Sequence, residues 1–287
     1  MPKNWNMKSS SLILLLLGLF AGPAQAKDLS VLFIGNSYTY LEGQGLPGDP
    51  ALPKIVQQIA ESIDPTLHVS YAFNTPGGWS FEKHFNDPVS TTLMAAHYDE
   101  VILQGQSIES LELTPWWQEN GNPGVERFEV FLPKILDLVF RSNSNVTLYV
   151  NWGWNPKNPL LQDSQPGLYF PAGTPHAGNK WCGRDKFEYQ KMIDDSYALH
   201  SQGYPVVLSH VGDAWLSLQT AGLVTEDELY LAGDWSHPSV LGGFVTGLVL
   251  ARDAIHLDIL KNKYVPAGVE SARAVSIQRF LGRTKAP

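Results

Sequence analysis

Val31-Leu32-Phe33-Ile34-Gly35-Asn36-Ser37-Tyr38-Thr39 runs from four consecutive apolar residues straight into a glycine and a serine. An apolar run without polar alternation has no face to turn to water, which is the pattern of a strand buried on both sides of a parallel sheet. The strand is predicted over Ser30–Gly35, and runs of the same kind stand at Leu67–Phe73, Glu100–Leu103, Val146–Trp152 and Pro205–His210. Between them the apolar spacing changes. Ile55, Val56, Ile59 and Ile63 recur within 52–63, and Phe131, Leu132, Ile135, Leu136 and Val139 within 128–140, both at the period of about 3.6 that marks a helix with one buried face. Further helices are predicted over Lys186–Ser201, after Pro238 and over Ser271–Gly282. Strands alternating with helices give an α/β fold, doubly wound around a central parallel sheet of about five strands.

The ends of the chain bound where such a domain works. Lys3 and Lys8, an apolar run over 12–20, and Gly22-Pro23-Ala24-Gln25-Ala26 form the charged, hydrophobic and cleavage regions of a secretory leader. Residues 1–26 are therefore expected to be removed, leaving 27–287 as a single domain exported to the periplasm or the medium. The apolar run falls short of the roughly 20 residues that span a bilayer, so no stable membrane insertion is expected. Cys182 is the only cysteine, which leaves no intramolecular disulfide and no thiolate cluster for a metal. Loss of Lys3 and Lys8 takes the formal charge of −8 to about −10, a surface that repels phosphate backbones and anionic head groups. Nucleic acid is thus not an expected partner, and a neutral small-molecule or carbohydrate ligand fits better.

In doubly wound folds the carboxyl ends of the strands hold the active site, and Ser37 stands at such an end. By itself, a serine after a strand and a glycine equally fits a cap on the next helix. Gly233-Asp234-Trp235-Ser236-His237-Pro238-Ser239 changes that balance. A serine hydroxyl becomes a useful nucleophile only when an imidazole can take its proton and a carboxylate fixes the ring. Asp234, three residues before His237, can orient that ring within one turn, and Pro238 suits the first position of the helix that follows. Asp213 is a more distant alternative for the carboxylate. His84 and His210 lie near strand ends or loops and read as structural, since no spacing of His and carboxylates here calls for a metal.

These two segments, GNSYT and DWSHPS, resemble the SGNH (GDSL) hydrolase superfamily, whose first block is Gly-Asp-Ser and whose last is Asp-x-x-His-Pro. The resemblance covers nearly all of the chain after the leader. It implies a three-layer α/β/α flavodoxin-like sandwich and ester hydrolysis without a cofactor, by Ser37, His237 and Asp234. It further implies an oxyanion hole drawn from the backbone N–H of Ser37, that of Gly78 (with Gly77 as second choice), and a side-chain amide. Two departures stand out. Asn36 replaces the usual aspartate, and Leu103-Gln104-Gly105-Gln106-Ser107 replaces the usual asparagine block. That glutamine block is similar to acetyl-esterase branches of the superfamily, which points to Gln104 with Gln106 as rival. The Gly-x-Ser-x-Gly elbow of the α/β-hydrolases is absent, since Thr39 occupies its last position.

Nine tryptophans are many for this length. Trp79, Trp152 and Trp154 are the candidates for stacking on a sugar, and Trp116, Trp117, Trp181 and Trp235 also fall near strand ends or loops; about half of the tryptophans should instead pack in the core. The stretch 154–185, rich in Pro, Gly, Asn and aromatics, reads as a functional loop over the sheet edge. The expectation is an exported serine esterase that removes short acyl groups, acetyl foremost, from carbohydrate. A lysophospholipase or thioesterase of the same fold, and a non-catalytic glycan-binding protein, are the competing readings.

Overall fold

The computed structural model describes residues 26–40, 51–113, 124–158, 168–169, 180–181 and 186–284. Residues 1–25 of the expected leader, Cys182, Trp116, Trp117 and most of 154–185 lie outside the described residues.

Five strands build the central sheet: β1 (Lys27–Ile34), β2 (Leu67–Asn74), β3 (Glu100–Leu103), β4 (Val146–Val150) and β5 (Val207–His210). Their order is β2-β1-β3-β4-β5 and every pairing is parallel. Burial follows that order. All of β3 and β4 and the last four residues of β1 are buried, whereas the edge strands β2 and β5 alternate or relax toward solvent. The unbroken apolar runs are thus central strands covered on both faces.

Parallel strands require crossovers, and ten helices among the described residues supply or follow them. They are α1 (Ser37–Tyr40), α2 (Ala51–Ile63), α3 (Phe81–Asn86), α4 (Pro88–Ala95), α5 (Val125–Val139), α6 (Lys186–His200), α7 (Val211–Thr220), α8 (Glu226–Leu229), α9 (Val240–Asp253) and α10 (Ser271–Leu281). Helices α2, α9 and α10 pack in one layer, while α3, α4, α5 and α6 pack in the other. Gly247 lets α2 and α9 approach closely, because a Cβ there would stand 2.6 Å from Cγ2 of Ile55. Three short strands, Glu112–Leu113, Leu168–Tyr169 and Lys180–Trp181, form a separate antiparallel sheet.

The expected helices stand within a residue or a few of their predicted bounds, and five others, α1, α3, α4, α7 and α8, are not among them. Two of these, α3 and α4, carried legible start signals: Ser80 accepts from the Lys83 N–H, and Asp87 caps a helix that opens on Pro88. The register fixes what matters for function. Ile34 is level with Asn74 on one side and Leu103 on the other, so the chain leaves β2, β1 and β3 at one common edge. The strand order reverses between β1 and β3, and this switch point is where crevices open in such sheets.

Candidate active site

Ser37 follows β1 by two residues and opens α1. Gly35 is needed there for space: a Cβ would lie 2.7 Å from Oγ1 of Thr39 and 2.8 Å from Oε1 of Gln104. Its φ is not in the left-handed region, so close approach rather than backbone freedom selects the glycine.

His237 comes from the other end of the described chain. Nε2 of its ring lies 2.8 Å from Oγ of Ser37, and Nδ1 lies 2.9 Å from both carboxylate oxygens of Asp234. The turn that holds them is pinned at several points. Oδ1 of Asp234 accepts the backbone N–H groups of His237 and Ser236 at 2.7 and 2.9 Å and the Ser236 hydroxyl at 2.5 Å. Partial burial opposes ionisation, but the bonds from Ser236 and from the backbone and ring of His237 outweigh it and hold the carboxyl at about 2. Asp234 is therefore ionised at neutral pH, as a carboxylate that orients an imidazole must be.

Pro238 is not the first residue of α9, as the sequence suggested. It forms a bridge with Tyr230, and Ser239 is the N-cap, accepting from the Gly242 N–H. The mount for His237 is thus a short antiparallel pairing, with the Leu231 N–H donating to the His237 carbonyl at 2.8 Å. Trp235 has φ 64°, a conformation that costs a non-glycine residue on the order of 1 kcal/mol or more. Its carbonyl accepts from the Asn155 N–H at 2.9 Å, and Lys157 Nζ stands 5.3 Å from its ring centre.

The expected oxyanion donors divide. Gly78 occupies the third position of a turn closed by Trp79 N–H to the Pro76 carbonyl, with φ 68°, as a type II turn requires. Among the described residues, no hydrogen bond engages the backbone N–H of Ser37 or Gly78. Gln104 is different. It is buried, its Oε1 accepts the Asn36 N–H at 3.0 Å and the Thr39 hydroxyl at 3.1 Å, and its Nε2 donates to the Gly105 carbonyl. The amide cannot be turned over, because the Asn36 N–H would then face a second donor. Gln104 therefore braces the serine turn from beneath, contrary to its expected place in an oxyanion hole. Gln106 is half-buried and binds Ser107 and the Ile108 N–H, which leaves one N–H of its amide uncommitted.

Asn36 uses its amide in a way an aspartate could not. Nδ2 donates to the carbonyls of Trp79 and Gly105 while Oδ1 accepts from the Tyr38 N–H. Glu109 adds a second tie between the same loops, with Oε2 accepting from the Phe81 N–H and Oε1 from the Gln106 N–H. Burial raises its carboxyl to about 8 against those two bonds. Nothing in the spacing of the sequence marked Glu109.

Two of the three candidate stacking tryptophans are corrected. Trp152 is 1 % exposed, stacked between Tyr38 and Trp215, and its Nε1 donates to the Ser236 carbonyl. Trp154 is buried as well and donates to the Tyr38 hydroxyl. Both are packed inward; Trp152 supports the histidine turn through Ser236, and Trp154 supports the Tyr38 ring. Trp79 is half-buried, its ring edge against His84. Asp213 stands 3.8 Å from Nδ1 of His210, whose closer partner at 3.0 Å is Asp194, so it takes no part in orienting His237. These three residues alone, among those described, present converging donors in number for a metal ion.

No family model matches the chain, and no curated protein does. Solved structures do. A DUF4886 family protein from Bacteroides uniformis superposes with TM-score 0.61 at 13 % identity, over 88 % of this chain and 93 % of that one. A protein provisionally assigned as an SGNH hydrolase, from Slackia heliotrinireducens, gives 0.51 at 17 % identity over 79 % and 99 %. The acetylxylan esterase Axe2 of Geobacillus stearothermophilus gives 0.52 at 13 % identity over 79 % and 94 %. At these identities the likeness is one of fold, a three-layer α/β/α sandwich shared with these proteins.

Proposed function

We propose that the chain is an exported serine esterase that removes short acyl groups, acetyl foremost, from carbohydrate. The carrying observation is the contact of 2.8 Å between Ser37 Oγ and His237 Nε2, backed by Asp234. In the proposed cycle Oγ attacks the ester carbonyl carbon as Nε2 takes its proton. Asp234 stabilises the resulting imidazolium. The oxygen of the tetrahedral intermediate receives the N–H groups of Ser37 and Gly78, with the Gln106 amide assigned as the third donor. His237 then returns the proton to the leaving alcohol, and water releases the acyl group from Ser37 by the same steps in reverse.

The substrate class rests on separate grounds. The leader-like start favours work outside the cytoplasm, the acidic composition favours an uncharged substrate, and a fold neighbour acts as an acetylxylan esterase. The test is hydrolysis of p-nitrophenyl esters of increasing chain length and of acetylated xylo-oligosaccharides. Wild-type protein should favour acetyl, and Ser37→Ala and His237→Ala should each lose about 10³-fold or more in kcat. Full activity in the Ser37→Ala protein would overturn the proposal, and a preference for long acyl chains would overturn its substrate half.

A further inference from the structure

His84 lies outside the proposed triad, yet it is wholly buried and touches the chain two residues before the proposed nucleophile. Its Nε2 stands 2.8 Å from the carbonyl oxygen of Gly35, and its Nδ1 stands 2.9 Å from Oγ of Ser90. The peptide that joins Gly35 to Asn36 is consequently held from two sides. Its C=O meets the imidazole carried by α3, and its N–H meets Oε1 of Gln104 at 3.0 Å, beyond β3. The preceding peptide is held too, since the Gly35 N–H donates to the Asn74 carbonyl at 3.2 Å.

We infer that His84 is a positioning residue for Ser37: as a neutral Nε2–H donor it clamps the Gly35–Asn36 peptide and so sets the direction in which Oγ and the N–H of Ser37 point. This rests on the hydrolase reading above. A carbonyl oxygen only accepts, so Nε2 must carry the proton. Nδ1 is then left as an acceptor for the Ser90 hydroxyl. That hydroxyl accepts from Asn74 Nδ2 at 2.8 Å and stands 2.9 Å from both Nδ1 of His84 and Oδ2 of Asp87, which also accepts the Ser90 and Asn74 N–H groups. If Ser90 donated to Asp87 instead, Nδ1 would need a proton of its own and the ring a buried charge. Burial opposes that charge and pushes the imidazole down to about 4, against the Gly35 carbonyl and the charge of Asp87. In either arrangement Nε2 carries the proton toward the Gly35 carbonyl, and burial favours the neutral ring that the clamp uses.

Two amide replacements separate this role from mere packing. The side-chain nitrogen of glutamine falls near the place of Nε2, whereas that of asparagine falls near Nδ1 and cannot reach Gly35. His84→Asn and His84→Leu should lower kcat by about 10²-fold, the cost of misplacing a reacting group by a fraction of its reach, with KM within about twofold. His84→Gln should restore most of that loss. In wild-type protein, ¹⁵N imidazole spectra should show His84 protonated at Nε2 and bare at Nδ1 throughout pH 5–8. Equal activity in the Asn and Gln variants, or an Nδ1–H tautomer, would overturn the inference. The spectra need no substitution, so they decide the tautomer even if a variant fails to fold. They also need no turnover: a protein without esterase activity would sink the hydrolase reading while still reporting whether the clamp exists.

Discussion

At the level of single residues, the site departs from simple expectation where buried polar atoms must find partners. Asn36 is the clearest case. Its two N–H bonds reach carbonyls on the loops that follow β2 and β3, and Asn36→Asp would set a carboxylate against both. We expect the variant to lose about 1–3 kcal/mol of stability and at least about tenfold in kcat, read by urea unfolding and by ester hydrolysis. An unchanged unfolding midpoint would show that the two donors are not holding the loops together. Gln104 teaches the same lesson in reverse. The sequence placed an amide at the end of β3, but only the positions of the Asn36 N–H and the Thr39 hydroxyl decide which way that amide turns. Trp152 and Trp154 were likewise legible as residues at the active edge and not as buried ones, because a strand end does not say whether a ring turns inward. His84 left no trace in the spacing, as its partner Gly35 lies 49 residues away.

Among the elements, the sheet was the most legible part of the molecule. Central strands covered on both faces leave unbroken apolar runs, and the helices against them keep their period of about 3.6. Segments that fold through caps rather than periodicity, such as α3 and α4, were passed over. Packing between elements supplies its own test in α9. A Cβ at Gly242 would overlap the backbone carbonyl of Leu229, while one at Gly247 would meet the movable side chain of Ile55. Alanine gains roughly 1 kcal/mol of helix propensity at either place. Gly242→Ala should nevertheless destabilise by about 1–3 kcal/mol, and Gly247→Ala by clearly less, in the same unfolding assay. Because Gly242 lies just after the histidine turn, the former should also slow hydrolysis; equal stability of the two variants would argue that the α8–α9 contact yields more easily than its backbone suggests.

For the molecule as a whole, buried ionisable groups predict how stability follows pH. Burial raises Glu109 to about 8, Glu100 to about 7 and Asp213 to about 6. For His210 burial works downward, but the bond and charge of Asp194 outweigh it and raise the ring. Each of these keeps its proton in the folded chain after the unfolded chain has lost it, so stability falls as pH rises. Below about pH 4 the sign reverses. Asp234, and Glu228 held at about 2 by Arg273 and Thr225, stay ionised while the unfolded chain takes up protons, so stability falls with acidification. Between these limits His84, lowered by burial, favours the folded state as pH rises and offsets only about one of the three buried acids. Melting temperature should therefore be highest near about pH 4–4.5, fall at pH 3 and decline steadily from about pH 5 to 8, and Glu109→Gln should flatten the alkaline side. A melting temperature still climbing from pH 6.5 to 8 would contradict that balance.

The contact between Ser37 and His237 joins residues 200 positions apart. A ribosome must therefore deliver almost every strand and helix described here before the hydroxyl meets its base, and a fragment severed anywhere before residue 237 would be inert toward esters however well its sheet had formed. The proposed hydrolysis would accordingly double as a reporter of complete folding.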